Sequence, residues 1–222
     1  MCIDYSEYMG YEGVGVVLYS MNQRLVGLVE TLQATATSMA RRATWRSIDG
    51  SRKWLELLLL GPHRKAHGPK AIRYLGAVSE RIRREPSRAG VVAVYALTPR
   101  VNRISSLVNY VTAMGLEGLI ILHEYVQGEV AERKVIGSII RELRRSGIVE
   151  LRQITGKNYM VSLCDMAARY AAIRSAIVVA ESKMKEEVPE PLIPLNKLKK
   201  EAKRLRELLN SISRENLIEL LP

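Results

Sequence analysis

VAERKVIGSIIRELRRSGIVELRQITGKNYMV, residues 130–161, is the stretch on which the fold prediction rests. Its first half has the apolar spacing of an amphipathic helix, carried by Val135, Ile136, Ile139, Ile140 and Leu143. Gly147 suits the position that follows the last turn of such a helix. Two short alternating runs come next, at residues 149–152 and 159–162, and the connection between them has the Gly and Asn that a β-hairpin needs. The stretch therefore predicts a helix followed by a hairpin.

Two further apolar stretches precede this helix. Residues 104–111 have a helical period that ends at Gly115, and residues 118–126 form a second apolar stretch that ends at Gly128. The three stretches and the basic-tipped hairpin together resemble the winged helix-turn-helix domains of archaeal and bacterial transcription regulators, over about residues 101–163. In that family the third helix enters the major groove of DNA, and the wing touches the sugar-phosphate backbone.

The resemblance implies two sets of nucleic-acid-binding residues. The groove-facing candidates on the third helix are Arg133, Lys134, Gly137, Ser138 and Arg141, and the candidates on the wing are Arg152, Lys157 and Asn158. An arginine such as Arg141 can pair with guanine through two hydrogen bonds, and a serine such as Ser138 can bond a base or a phosphate. Winged helices also serve as protein-interaction modules, which leaves a scaffold role open.

Positive charge is concentrated in one part of the chain. Of the formal net charge of +11, +10 falls on residues 41–100, where fourteen Lys and Arg stand against four Asp and Glu. Such a segment attracts phosphate backbones, and its candidate contact residues are Arg41, Arg42, Arg46, Arg64, Lys65 and Lys70. Trp45 and Trp54 lie among these charges, either as stacking partners for unpaired bases or as buried core residues. The segment therefore also supports binding of single-stranded DNA or RNA.

The C-terminal third has two helical segments. Asp165 suits the N-cap of a long helix over residues 165–188, and three prolines between residues 189 and 194 then interrupt the chain. Residues 195–221 repeat apolar residues every three or four positions, at Leu195, Leu198, Ala202, Leu205, Leu209 and Ile212. Because the other positions are highly charged, this apolar seam needs a partner, which predicts a coiled coil between copies of the chain. Packing of the seam on the chain's own core is the alternative.

No catalytic, metal or cofactor site is predicted, so the expectation is a protein that is not an enzyme. His63 and His67 have no third ligand near them in the sequence, and no Gly-rich phosphate loop precedes a Lys-Ser or Lys-Thr pair. The carboxylates fall singly on helical faces and form no acid–base pair. Cys2 and Cys164 are expected to be reduced thiols in a cytoplasmic protein, because the N-terminus lacks an export signal. Scarce Asn and Gln hint at a thermophilic source.

The sequence thus predicts a mainly α protein with a small β wing. A basic helix-rich domain covers residues 1–100, a winged-helix-like domain residues 101–164, a long helix residues 165–188 and an oligomerisation helix residues 195–221. Within the first domain, residues 90–97 have the clearest strand pattern. The predicted function is a DNA-binding transcription regulator that acts as a homodimer or larger homo-oligomer, with no membrane partner. The alternatives are single-stranded DNA or RNA binding and a protein-interaction scaffold.

Overall fold

The computed structural model describes residues 1–19, 91–114, 119–124, 130–146, 149–154, 161–185, 195–213 and 217–221. Within these ranges the chain forms six strands and four helices. The strands are β1 (Cys2–Tyr8), β2 (Tyr11–Tyr19), β3 (Val91–Leu97), β4 (Leu119–Glu124), β5 (Val149–Ile154) and β6 (Ile218–Leu220). The helices are α1 (Val101–Ala113), α2 (Val130–Arg145), α3 (Val161–Lys185) and α4 (Leu195–Ile212).

The described strands form one mixed sheet in the order β5-β4-β1-β2-β3-β6. β1 and β2 are an antiparallel hairpin whose turn is Met9-Gly10, both with the positive φ that a two-residue hairpin turn requires. β3 is antiparallel to β2, whereas β4 and β5 run parallel to β1, and β6 runs parallel to β3. Five of these strands therefore point the same way, and β2 runs against them.

Helices cover both faces of the sheet. Successive residues of a strand point to opposite faces, so Ile3 and Tyr5 of β1 contact one helical layer while Cys2 contacts the other. The first layer is α1 and α2, which pack through Ile104, Leu107, Val111, Ile136, Ile139 and Leu143. The second layer is α3 and α4, which pack through residues that include Leu163, Ala167, Ala171, Leu198 and Leu205. The fold is a three-layer α/β/α sandwich.

The prediction of a mainly α fold with a winged helix is wrong. Residues 149–154, predicted to contain the first hairpin strand, are β5 and pair in parallel with β4. Val161, predicted to lie in the second hairpin strand, begins α3. Residues 118–126, interpreted as the second helix, contain β4. A short apolar run has no periodicity that separates a buried parallel strand from a buried helix, and the prediction fails for this reason.

The prediction of a C-terminal coiled-coil helix is also wrong. Leu198, Ala202, Leu205 and Leu209 of α4 lie in the same buried cluster as α3, so the apolar seam packs on the chain's own core. The helix ends at Ile212 and is followed by β6 at the sheet edge. A periodic apolar seam predicts an amphipathic helix without identifying the surface that covers it.

Glu219 fastens β6 to the helices of the second layer. Tyr170 of α3 donates a hydrogen bond to Glu219 Oε1 at 2.8 Å, and the Nε atoms of Arg174 and Arg206 lie 3.6 Å from the Glu219 carboxylate oxygens. Burial raises the pKa of the Tyr170 phenol above its ordinary value, and the neighbouring Glu219 carboxylate raises it further. The phenol therefore stays protonated and keeps donating to the carboxylate.

Glu219→Ala is expected to lower the free energy of unfolding by roughly 1–3 kcal/mol, because it leaves the buried Tyr170 hydroxyl without its acceptor. Urea unfolding followed by circular dichroism measures the change. Glu207→Ala is the matched control, since the exposed Glu207 makes a 3.9 Å ion pair with Lys203, and its effect should stay below about 1 kcal/mol. Equal effects of the two substitutions would contradict a role for Glu219 in holding β6.

Candidate carboxylate site

Asp4 is a buried carboxylate in the middle of the sheet. It follows Cys2 by two residues on β1 and therefore lies on the same face of the sheet, the face that α3 covers. Asp4 is only 4% exposed, and the main-chain N–H of Tyr5 donates to its Oδ1 at 2.9 Å. Burial of a carboxylate is costly unless its charge is balanced. Because Asp is almost never this buried, Asp4 is the starting point for a candidate functional site.

Two glycines of β2 bring the main chain of α3 onto the sheet beside Asp4. Gly15 pairs with Asp4 in the strand register, and a Cβ at Gly15 would overlap the Cys164 carbonyl oxygen and the Ala168 nitrogen. Gly13, two residues earlier, lies under α3 in the same way. Only a residue without a side chain permits this approach. The beginning of α3 is therefore held at the level of Asp4.

A disulfide between Cys2 and Cys164 joins β1 to α3 at this level. The Cα atoms of the two cysteines are 6.2 Å apart, although 162 positions separate them in the sequence. The expectation of reduced thiols is therefore wrong, because it took no account of the spatial pairing that the fold creates. Asp4 lies two residues beyond Cys2, and Asp165 directly follows Cys164. The two carboxylates accordingly flank the same covalent link.

Asp165 lies on the flank of α3 that is turned toward β1. Arg169, one turn after Asp165, stacks its guanidinium on the ring of Tyr8 of β1, 4.4 Å from the ring centroid. Tyr170, on the opposite flank, bonds to Glu219 of β6. Residues four apart share one side of a helix, so Asp165 is on the β1 side together with Arg169. Asp165 is partly buried there.

Glu124 is the last residue of β4, the parallel neighbour of β1. Cys2 pairs with Leu122 in this pair of strands, so Asp4 and Glu124, each two residues further on, reach the same level. The sheet order changes direction here, because β1 leads to β2 and β3 on one side while β4 leads to β5 on the other. Ligands of open α/β sheets bind at such a switch point; Glu124 is at the carboxyl end of β4, whereas Asp4 lies within β1, which continues to Tyr8.

Asp4, Glu124 and Asp165 thus belong to three elements, β1, β4 and α3, that are neighbours in the fold through strand pairing and through the contact of α3 with β2. Among the side chains that the structure describes, no three His, Cys, Asp or Glu converge closely enough to hold a metal ion. Asp4 and Asp165 supply two carboxylates, and Glu124 is placed by the register of its main chain. Mg²⁺ is commonly held by one or two carboxylates together with the phosphates of its substrate. Carboxylate oxygens are the ligand type that a hard divalent cation prefers.

The predicted nucleic-acid-binding residues that the structure describes lie on two separate elements. Arg133, Lys134 and Arg141 are exposed on α2, and Ser138 is partly buried on the same helix. Arg152 lies on β5, in register with Leu122. The other predicted residues fall outside the described ranges: Lys157, Asn158, Arg41, Arg42, Arg46, Arg64, Lys65 and Lys70.

Sequence reasoning misses all three carboxylates of the candidate site. The interpretation of Asp165 as an N-cap is wrong, because α3 begins four residues earlier at Val161. Asp4 lies between the apolar Ile3 and Tyr5 of β1, and two glycines follow it at alternating positions of the next strand. The sequence does contain this signal, because it places a charged residue opposite glycines across a predicted hairpin. Glu124 has no local signal, since its position depends on the pairing of β4 with β1.

Comparison with known proteins gives no match, either to a family model or to a curated protein or solved structure. In the part of the chain that the structure describes, no helix combines the length and apolar character needed to cross a bilayer.

Proposed function

We propose that this chain is a divalent-metal-dependent nuclease whose metal ligands are Asp4, Glu124 and Asp165. The observation that carries the proposal is the burial of Asp4 opposite Gly15, whose close contact with α3 brings the turn of that helix containing Asp165 onto the sheet beside it. The proposal departs from the expectation that the protein has no catalytic or metal site. That expectation considered carboxylates only where they lie near one another in the sequence.

Three carboxylates suit the hydrolysis of a phosphodiester. Bound Mg²⁺ or Mn²⁺ would supply Lewis-acid stabilisation of the phosphate charge and a more acidic water, as in two-metal nucleases and phosphatases. Asp4 is held by its pairing with Gly15 of β2, and Asp165 is held by the contact of α3 with β2. These two residues can therefore hold a cation in one position without rearrangement of the main chain, which favours catalysis.

The charge of the chain favours nucleic acid as the substrate. A net charge of +11, of which +10 falls on residues 41–100, attracts a polyanion more strongly than a small phosphate ester. On the described surface, Arg133 and Lys134 are exposed near the beginning of α2, the helix that follows β4. We therefore still propose that the chain binds nucleic acid, although its fold is not a winged helix.

Cleavage assays with end-labelled single-stranded and duplex DNA and RNA test the proposal. The purified chain is expected to cleave at least one substrate in Mg²⁺ or Mn²⁺, and EDTA or Asp165→Asn should abolish the cleavage. Glu207→Gln is the matched control, because Glu207 is an exposed carboxylate on α4, and it should leave the rate unchanged. Binding without cleavage under every metal condition would refute the nuclease and favour a nucleic-acid-binding protein instead.

A further inference from the structure

The outward side of α4 is a basic surface. Among the side chains of this helix that the structure describes, five cations are exposed and one carboxylate, that of Glu207, is exposed with them. The other carboxylate of the helix, Glu201, is buried, and its Oε1 lies 3.6 Å from Arg169 Nε of α3. The helix therefore turns its cations to solvent and one of its two carboxylates inward. The exposed cations form the α4 basic face: Lys197, Lys199, Lys200, Lys203 and Arg206.

We infer that the α4 basic face is a docking surface for the phosphate backbone of a nucleic-acid duplex, bound independently of its base sequence. Docking there needs neither a metal ion nor cleavage, so the inference goes beyond the proposed function and does not rest on the carboxylate site. The surface belongs to the second helical layer, on the other side of the sheet from α2.

A row of lysines on the α4 basic face carries charge that the described part of the chain leaves largely unbalanced. Lys197 and Lys200 make no ion pair with any described residue, and Lys203 Nζ is 3.9 Å from Glu207 Oε1, at the limit of an ion pair. The three lysines follow at three-residue spacing, which makes them neighbours on the helix surface, and like charges so placed repel one another. A polyanion bound across the lysine row would remove this repulsion.

The α4 basic face has the length of a short run of backbone phosphates. From Lys197 to Arg206, α4 advances about 14 Å at about 1.5 Å per residue, and one strand of a duplex advances about 3.4 Å per nucleotide. About four phosphates of one strand therefore fit along this face. Lys199 and Arg206 pair with Glu181 and Glu219 at 2.7 and 3.6 Å, so the lysine row is the part of the face most open to a ligand.

A duplex fits this face better than an anionic membrane or a single strand does. A helix that lies on a bilayer inserts its apolar face, but the apolar face of α4 is buried in the core through Leu198, Ala202 and Leu205. Single strands are held by aromatic side chains that stack on their bases, and α4 contains no aromatic residue. A duplex presents regularly spaced phosphates, which bind exposed cations without either feature.

Fluorescence anisotropy of the full-length protein with a short labelled DNA duplex tests the inference, in EDTA to prevent metal-dependent cleavage. Lys197→Gln/Lys200→Gln removes two exposed cations and keeps residues that favour a helix, so its unfolding temperature should stay near that of the wild type. We expect its affinity at low salt to be lower by about tenfold or more. The slope of log K against log salt should become shallower by roughly 1.8, because each neutralised phosphate contributes about 0.9.

Arg144→Gln/Arg145→Gln is the matched control, because it removes the same charge from exposed side chains in the last turn of α2. Its affinity should stay within about threefold of the wild type, since α2 is in the other helical layer. Equal losses in the two double variants would show an effect of net charge alone and would overturn the inference. An absence of duplex binding by the wild type at low salt would overturn it as well.

Two further comparisons separate this inference from its rivals and from the proposed function. Tighter binding to single-stranded DNA or to phosphatidylserine vesicles than to the duplex would overturn the inference. Asp165→Asn, which removes a proposed metal ligand, is expected to bind the duplex in EDTA at least as tightly as the wild type. Duplex binding through the lysine row without cleavage in any metal would remove the nuclease and support the docking surface, whereas cleavage of single strands without duplex binding would do the reverse.

Discussion

Asp4→Asn is expected to lower the rate of metal-dependent cleavage by about 10³-fold or more. The substitution keeps the shape of the side chain and an oxygen that can accept from the Tyr5 N–H, but it removes a charged ligand of the cation. Loss of several kcal/mol of transition-state stabilisation by the metal corresponds to a fall of this size. Single-turnover cleavage at saturating Mg²⁺ measures the rate directly.

Thermal unfolding separates loss of the ligand from loss of the fold in Asp4→Asn. Without metal, the variant should unfold near the wild-type temperature, since Asn keeps the shape of the side chain and an oxygen that accepts from the Tyr5 N–H. Saturating Mn²⁺ should raise the unfolding temperature of the wild type, because a cation that binds only the folded state stabilises it, and should leave that of the variant unchanged. Activity within tenfold of wild type would show that Asp4 is not a ligand.

Gly15→Ala is expected to destabilise the fold by about 3 kcal/mol or more, the upper end of the cost of overpacking a core. The added Cβ would overlap the Cys164 carbonyl oxygen and the Ala168 nitrogen. Both atoms belong to the main chain of α3, so no change of side-chain rotamer relieves the overlap. The free energy of unfolding from urea denaturation measures the effect.

Gly137→Ala is the matched control for Gly15→Ala. Gly137 lies within α2, and a Cβ there meets no atom within 4 Å. Alanine in a helix interior is more favourable than glycine by roughly 0.5–1 kcal/mol, so this variant should be slightly stabilised. Unchanged stability of Gly15→Ala would contradict the close contact between β2 and α3, and with it the position of Asp165.

Local patterns in the sequence predict individual elements of this fold well. The amphipathic helix predicted from the apolar face at residues 135–143 is confirmed as α2, with Ile136, Ile139 and Leu143 buried. The strand predicted at residues 90–97 is confirmed as β3. Each of these elements has its whole apolar pattern within one continuous segment. A single sequence shows such local patterns most clearly.

Long-range pairing is what the sequence does not reveal. β4 and β5 could be interpreted as parts of a winged helix because their partners in a parallel sheet lie far away in the chain. The seam of α4 predicts an amphipathic helix, but α3 covers it where a second copy was expected. The candidate site has the same origin, because Asp4, Glu124 and Asp165 lie on elements that become neighbours only when β1 pairs with β4 and α3 packs on β2.

Anomalous diffraction from crystals of the oxidised protein soaked in Mn²⁺ tests the central claim most directly. A peak coordinated by carboxylate oxygens of Asp4, Glu124 and Asp165, at the Mn²⁺–oxygen distance of about 2.1–2.2 Å typical of hard divalent cations, is the predicted result. A matched soak of Asp4→Asn crystals should lack the peak. A Mn²⁺ site elsewhere, or an empty switch point at saturating Mn²⁺, would contradict the assignment of this site.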